Sequence, residues 1–508
     1  MGVILNSKVI FDNKKYFELQ TKEILNRVSK FSKLYLEFGG KLLTDYHAAR
    51  VLPGYKFDVK TRILQEISDK SAIIYCVCAK DLQRGRVRAD FGLTYDNVVI
   101  KEINDLRENN LFVVGVVITR FEKESAAVKF KTRLENLGEI VYTSPEIPGY
   151  PQDIDKVIGI EGFGKYPYIK TDREIIIVTG AGGGSGKMSV CLSQVYHNNM
   201  NKINAGYAKL ETFPIWNLEL EHPVNLAYEA ATADLLDRNQ IDPFHMDMYS
   251  IKAINYNRDI ENFEIMKKLI DKIVNKDNFV LTYNSPTDMG VNMAKQGIVD
   301  DDAVRNAAKQ EIIRRYFRYR KEFFFGIESL STLNRMNDIM LKSRIKPEER
   351  ECVIPARNNY SSAKEKDPLN KTFSAALILH NNKIIIGKSS KLLHAESAVI
   401  LNAIKIIAGI QDNIDLLPES IIKQIQTLRT DLFKMNYTRL NLEETLITLA
   451  ISAATNPTAK ICLEKLNDLS GCEMHVTGVP ASADETALRK LNINVTCDVK
   501  LPFDQNEN

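Results

Sequence analysis

Several protein classes are excluded by what this chain lacks. No run among its 508 residues approaches the length of a transmembrane helix, and the first thirty residues hold no apolar core of the signal-peptide kind. A soluble, cytoplasmic protein with no membrane partner is expected. Charge of one sign is nearly missing too: 68 Lys and Arg against 65 Asp and Glu leave +3, too little for this length to indicate nucleic acid. The seven cysteines show no paired metal-ligand spacing, and an odd count without an export signal fits buried free thiols in a reducing compartment. No repeat or low-complexity segment occurs. Gly-x-Ser-x-Gly and His-Glu-x-x-His are absent, which counts against a serine hydrolase and a zinc protease.

Glycine, by contrast, is concentrated in one place. Glu174-Ile-Ile-Ile-Val-Thr-Gly-Ala-Gly-Gly-Gly-Ser-Gly-Lys-Met-Ser189 runs from a β-branched apolar stretch into a glycine-rich turn, a lysine and a helix start. Glycines let a backbone fold tightly and turn its N–H groups toward an anion; the helix opening near Gly186 adds its positive dipole end, and Lys187 a full charge. Gly182, Gly183, Gly184, Ser185, Gly186 and Lys187 are therefore the expected phosphate-binding residues. The match to a P-loop is imperfect. Ala181 replaces the first glycine, and Met188 replaces the Ser or Thr whose hydroxyl ligates magnesium. ATP or another nucleotide is the expected ligand, with magnesium in doubt. A dinucleotide fingerprint fits less well, since Ser185 stands where its third glycine belongs.

The length calls for two to four domains, and 44% hydrophobic with 26% charged residues is a soluble globular composition. Apolar runs at Leu34–Phe38, Ala72–Cys78, Phe112–Thr119, Ile175–Val178 and Ala205–Lys209 alternate with helical spacing. This predicts a parallel sheet covered on both faces, in an α/β domain over 1–235. The glycine-rich turn then lies at a strand's carboxyl end, where open α/β sheets bind ligands. Residues 236–350 read as mainly helical, with polar turns that either line a cleft or simply cap helices. The charged stretch 351–370 reads as a linker. Residues 371–508 read as a second α/β domain: a hairpin turned by Asn381-Asn382, a helix from Ala395 to Ala408, then two strands with a helix between them.

Hairpin followed by His394-Ala-Glu396 resembles the start of a cytidine deaminase fold, in which histidine ligates zinc and glutamate moves protons. The partner motif Pro-Cys-x-x-Cys is absent, so the expectation is deaminase-like topology without a metal site. His47, Arg50, Lys209 and Asp242 are weaker catalytic candidates, chosen because they follow predicted strands or turns.

Tyr35-Leu-Glu-Phe-Gly-Gly-Lys41, Asp45-Tyr-His-Ala-Ala-Arg-Val-Leu-Pro-Gly54, Phe213-Pro-Ile-Trp-Asn217, the run His222–Asp234 and Ser285-Pro-Thr-Asp-Met-Gly-Val-Asn-Met293 together resemble a bacterial family. It is catalogued as domain of unknown function eighteen forty-six, and the likeness covers nearly the whole chain. It implies an α/β amino-terminal part with a P-loop-like turn, a helical insertion and a deaminase-like carboxy-terminal domain; it implies no reaction. Met after the lysine belongs to the family pattern as well. Three functions remain open: phosphoryl transfer or ATP-dependent ligation, nucleotide sensing without catalysis, and zinc-dependent hydrolysis at His394 and Glu396. A homo-oligomer is expected from size alone.

Overall fold

The computed structural model of the chain describes residues 9–88, 93–147, 149–366, 372–434, 438–502 and 504. Two compact units result, Met1–Lys309 and Gln310–Asn508. The division falls within the helix Asp301–Phe324.

The first unit is built on seven strands: β1 (Lys33–Phe38), β2 (Ser71–Cys78), β3 (Val113–Thr119), β4 (Val141–Ser144), β5 (Ile175–Gly180), β6 (Ala205–Leu210) and β7 (Gly290–Val291). Their order is β7-β6-β1-β5-β2-β3-β4, and every neighbouring pair is parallel. Strands β1, β2, β3 and β6 are buried along their whole length. This is why they read as largely apolar runs, with Lys33, Glu37 and Lys209 as the charged exceptions: helices cover both faces. The helix Lys187–Met200 buries Val190, Cys191, Leu192 and Val195 in the core that also holds Tyr35, Ile176 and Tyr207.

Strand order matters for the site. The chain moves along the sheet in one direction from β2 through β3 to β4, then returns to insert β5 between β1 and β2. It leaves β5 in the opposite sense, placing β6 on the far side of β1. Such a reversal opens a crevice at the carboxyl ends of the strands, because the connections on either side diverge there. The glycine-rich loop leaves β5 at this reversal.

The second unit holds β8 (Ser374–Ile378), β9 (Ile384–Lys388), β10 (Glu473–Val476) and β11 (Asn494–Cys497) in the order β9-β8-β10-β11. Strand β8 is antiparallel to both neighbours, while β10 and β11 are parallel. The β8–β9 hairpin turns at Asn381-Asn382, with Asn382 in the left-handed region at φ 62°. On one face Ala376 and Ile378 pack with Cys352 and Ala356 of the segment leading into and forming the helix Val353–Lys366. Ala375 and Leu377 pack on the other face with Val399 and Ala403 of the helix Ala395–Ala408.

Two expected boundaries differ from this arrangement. The stretch 351–370, read as a linker from its charge, contains the helix Val353–Lys366 packed on the second sheet. Its buried apolar residues are only Val353, Ala356 and Ala363, so polar and charged neighbours masked them; residues 367–370 lie outside the described residues. The helical stretch 236–350 is divided between the two units, and it contributes β7 to the first sheet. All seven cysteines are free and buried. No helix among the described residues is long and apolar enough to cross a membrane.

Candidate functional site

The loop after β5 is held from both sides. Ala181 N–H donates to the Cys76 carbonyl at the end of β2 (3.1 Å), and Thr119 Oγ1 at the end of β3 donates to the Ser185 carbonyl (2.9 Å). Gly186 is the helix N-cap, with φ 84°, and a Cβ there would lie 2.9 Å from the Thr119 side chain. Both the dihedral and the space therefore require glycine. Among the described residues, no backbone N–H from Gly182 to Gly186 donates a hydrogen bond, and no side chain caps the helix. Ser185 is buried with its hydroxyl unpartnered. Lys187 opens the helix and forms no ion pair among the described residues. The loop is half-buried apart from Ser185, which is buried, and Gly184, which is exposed, so these N–H groups face solvent or a ligand rather than protein.

The loop borders a cavity of about 1220 Å³, which also reaches Gly39, Arg120 and Met188. Its far wall is charged. Lys209, on β6, sits 2.6 Å from Asp259 and 3.4 Å from Glu211. Glu37 on β1 accepts from Tyr207 Oη at 2.6 Å, and Arg258 pairs with Asp237 at 2.5 Å. Burial disfavours the Lys209 ammonium, but Asp259, Glu211 and Glu37 outweigh it and hold Lys209 above its ordinary value. One cation cannot neutralise three carboxylates. The surplus falls on Glu211: burial pushes it well above the usual carboxylate range, Lys209 draws it back, and Asp259 and Glu37 repel its charge. Asp237 is raised by burial against the pull of Arg258.

Of the residues expected from sequence, Gly182–Lys187 and Lys209 line this cavity, and His47, Arg50 and Asp242 do not. His47 is buried with its ring edge against Phe213 (5.4 Å) and Tyr228 (5.5 Å). Asp242 caps the helix Pro243–Tyr249, accepting from His245 N–H (3.1 Å) and from Thr287 Oγ1 (2.6 Å). Arg50 lies in the last turn of the helix Tyr46–Val51. The polar turns between 211 and 293 thus serve both expected roles: Glu211, Asp237, Arg258 and Asp259 line the cavity, whereas Asp242 and Ser285 cap helices. The polar turns marked the region of Glu211, Asp237, Arg258 and Asp259 as a candidate cleft lining, but no local signal joined them to Glu37 or to the glycine-rich loop, which only the topology brings together.

A second constellation lies in the other unit. His394, Glu396 and Asp484 place one donor atom each within 4.8 Å of one another. His394 Nδ1 is 2.7 Å from Asp484 Oδ2, and Leu442 N–H donates to Asp484 Oδ1 at 2.5 Å. The sequence reading found a single ligand here and missed Asp484. The available signal was Pro480-Ala-Ser-Ala-Asp484, which keeps the proline and the spacing of Pro-Cys-x-x-Cys but puts Ala and Asp in place of the cysteines. Neither Cys462 nor Cys472 belongs to the cluster.

Comparison with known proteins agrees with the two-part organisation. The family model described as domain of unknown function DUF1846, N-terminal, matches residues 9–344, and its C-terminal counterpart matches 348–506. The chain belongs to the DUF1846 family. A UPF0371 protein of Clostridium botulinum strain Eklund 17B is 47% identical over 496 residues, 97% of this chain and 98% of the relative. UPF0371 proteins of Clostridium tetani and Clostridioides difficile strain 630 are each 46% identical over the same shares of both chains.

Proposed function

We propose that the first unit binds a phosphorylated small molecule, with a nucleotide as the best fit, and holds its phosphate on the Gly182–Lys187 loop. The observation that carries this reading is the run of undonated N–H groups from Gly182 to Gly186, set at a helix N-terminus and at the edge of a large cavity. An anion there accepts from donors that no described residue uses, and the helix dipole and Lys187 add to the attraction. The rest of the ligand fits the charged wall opposite, where carboxylates suit hydroxyl groups and Tyr228 and Tyr256 offer apolar surface. In this sense the loop is P-loop-like.

The chemistry best suited to such a site is phosphoryl transfer or ATP-dependent ligation, which rest on positioning and charge neutralisation. Glu211, raised toward neutrality, is the group fitted to take or give a proton there. Met188 supplies no hydroxyl for magnesium, so phosphate charge falls to Lys187, Arg120 and the loop N–H groups. For the second unit, a deaminase-like topology is supported by the hairpin, the helix opening after His394, and a later strand leading to a helix that carries Asp484.

Calorimetric titration of the whole protein with ATP, GTP, ADP and pyrophosphate, with and without magnesium, tests the proposal. Saturable binding of at least one of them, lost in Lys187→Ala, is the expected result. Binding with turnover assigns catalysis, and binding without turnover assigns a sensing role. No binding by the parent, or binding unchanged in Lys187→Ala, overturns the phosphate site.

A further inference from the structure

We propose that His394, Glu396 and Asp484 form a site for one divalent first-row transition cation. Three separate chain positions converge there. His394 is the N-cap of the helix Ala395–Ala408, Glu396 lies in that helix's first turn, and Asp484 lies in the first turn of the helix Ser482–Lys490. Donors sharing one ion at about 2.1 Å stand roughly 3–4 Å apart. The three donor atoms here lie within 4.8 Å of one another, so a modest carboxylate rotation closes the set.

The independent observation is Glu396. It is only 5% exposed, yet among the described residues its carboxylate accepts a hydrogen bond from no residue but its own backbone N–H. A buried carboxylate without a partner is costly in folded proteins unless a cation or a proton neutralises it. Asp484, fully buried, adds a second negative group to the same space, and among the described residues His394 is its only side-chain hydrogen-bond partner. The cluster therefore concentrates acceptors with no Lys or Arg among the described residues in hydrogen-bond contact with them. Arg429, the arginine that influences His394 electrostatically, is already paired with Glu444.

Donor chemistry narrows the ion. One imidazole and two carboxylates suit Mn²⁺, Fe²⁺ or Zn²⁺ and offer nothing to ions that demand thiolate. With its side chain about one-quarter exposed, His394 gives the ion a path from solvent. Leu442 N–H fixes the second Asp484 oxygen, the kind of outer contact that orients a metal-binding carboxylate. Three protein donors leave at least one position open for water or another ligand.

The test uses the whole protein without an affinity tag, stripped with a chelator and titrated with MnCl₂ while free Mn²⁺ is read by electron paramagnetic resonance; dialysis against Zn²⁺ gives a second stoichiometry. One Mn²⁺ or Zn²⁺ per chain is expected, with affinity at least tenfold weaker in Glu396→Gln and in Asp484→Asn. Asp484→Asn disturbs the Leu442 contact and can fail to fold. Glu396→Gln keeps an oxygen that accepts from the residue's own N–H, breaks no contact with another described residue and decides the matter alone. His380→Gln, at a separate imidazole 3.9 Å from the Cys472 sulfur, is expected to bind like the parent. Absence of stoichiometric binding of both ions, or binding that survives Glu396→Gln unchanged, overturns the site.

Discussion

The two constellations use the same structural feature, the start of a helix, in opposite ways. At Lys187 the sequence strips side chains away: glycines leave bare N–H groups, and the only charge added is a cation without an ion pair among the described residues. At His394 and Asp484 the helix starts are crowded with acceptors, one imidazole and two carboxylates. Under the two proposals the first arrangement takes an anion and the second a cation. The difference teaches that a helix N-terminus does not choose its ligand by itself; the side chains set around it, or withheld from it, make the choice.

The same contrast exists between two lysines of one cavity, and it gives the largest expected effect. Lys209→Met leaves Asp259, Glu211 and Glu37 facing one another without their cation, and is expected to destabilise the first unit by about 3–5 kcal/mol. Lys187→Met is expected to change stability by no more than about 0.5 kcal/mol while weakening pyrophosphate or nucleotide binding by roughly ten- to a hundredfold. Urea denaturation beside calorimetry checks both. Equal stability losses in the two variants would erase the distinction between a structural and a ligand-facing lysine.

Gly186→Ala is next in size. The left-handed backbone and the Thr119 contact lead to an expected loss of about 1–3 kcal/mol, with weaker phosphate binding as the loop shifts. An alanine variant with parent stability and affinity would mean that the loop's shape is not set by this residue.

The smallest effect concerns pH. Folded Glu211 holds its proton more tightly than the unfolded chain does, whose carboxyl has its ordinary value near 4.5. Between that pH and its raised folded value, the folded state binds more protons, so its stability falls as pH rises through the window. One such group contributes at most about 1.4 kcal/mol per pH unit. Denaturation curves from pH 4.5 to 8 are expected to show a shallower decline in Glu211→Gln than in the parent. Identical slopes would remove Glu211 as the proton-bearing group.

Much of the fold was legible because its signals are local. The runs that became β1, β2, β3, β5 and β6 are buried on both faces, and the hairpin turn carries its own asparagines. The glycine-rich turn was legible for the same reason, since its glycines are clustered in one short stretch. Strand β7, only Gly290–Val291, is too short to give a pattern. The charged wall was only partly legible: the polar turns from Glu211 to Asp259 were expected as a candidate cleft lining, but their meeting with Glu37 and the loop was hidden because these come from distant segments. Asp484 stayed hidden because a carboxylate there breaks the cysteine motif that draws attention to such a position. His47 and Asp242 attracted notice as polar turn residues, and the structure uses one in ring packing and the other as a cap.

The central claim is that the loop's own N–H groups receive the ligand's phosphate. Protein labelled with ¹⁵N-glycine and deuterated elsewhere allows the amides of Gly182, Gly183, Gly184 and Gly186 to be followed as pyrophosphate is added. The account predicts saturable downfield shifts of these amide protons, absent in Lys187→Ala, while Gly206 and Gly387, buried in the two sheets, stay in place. Unmoved loop amides at saturating pyrophosphate, or shifts spread evenly over all glycines, would contradict it.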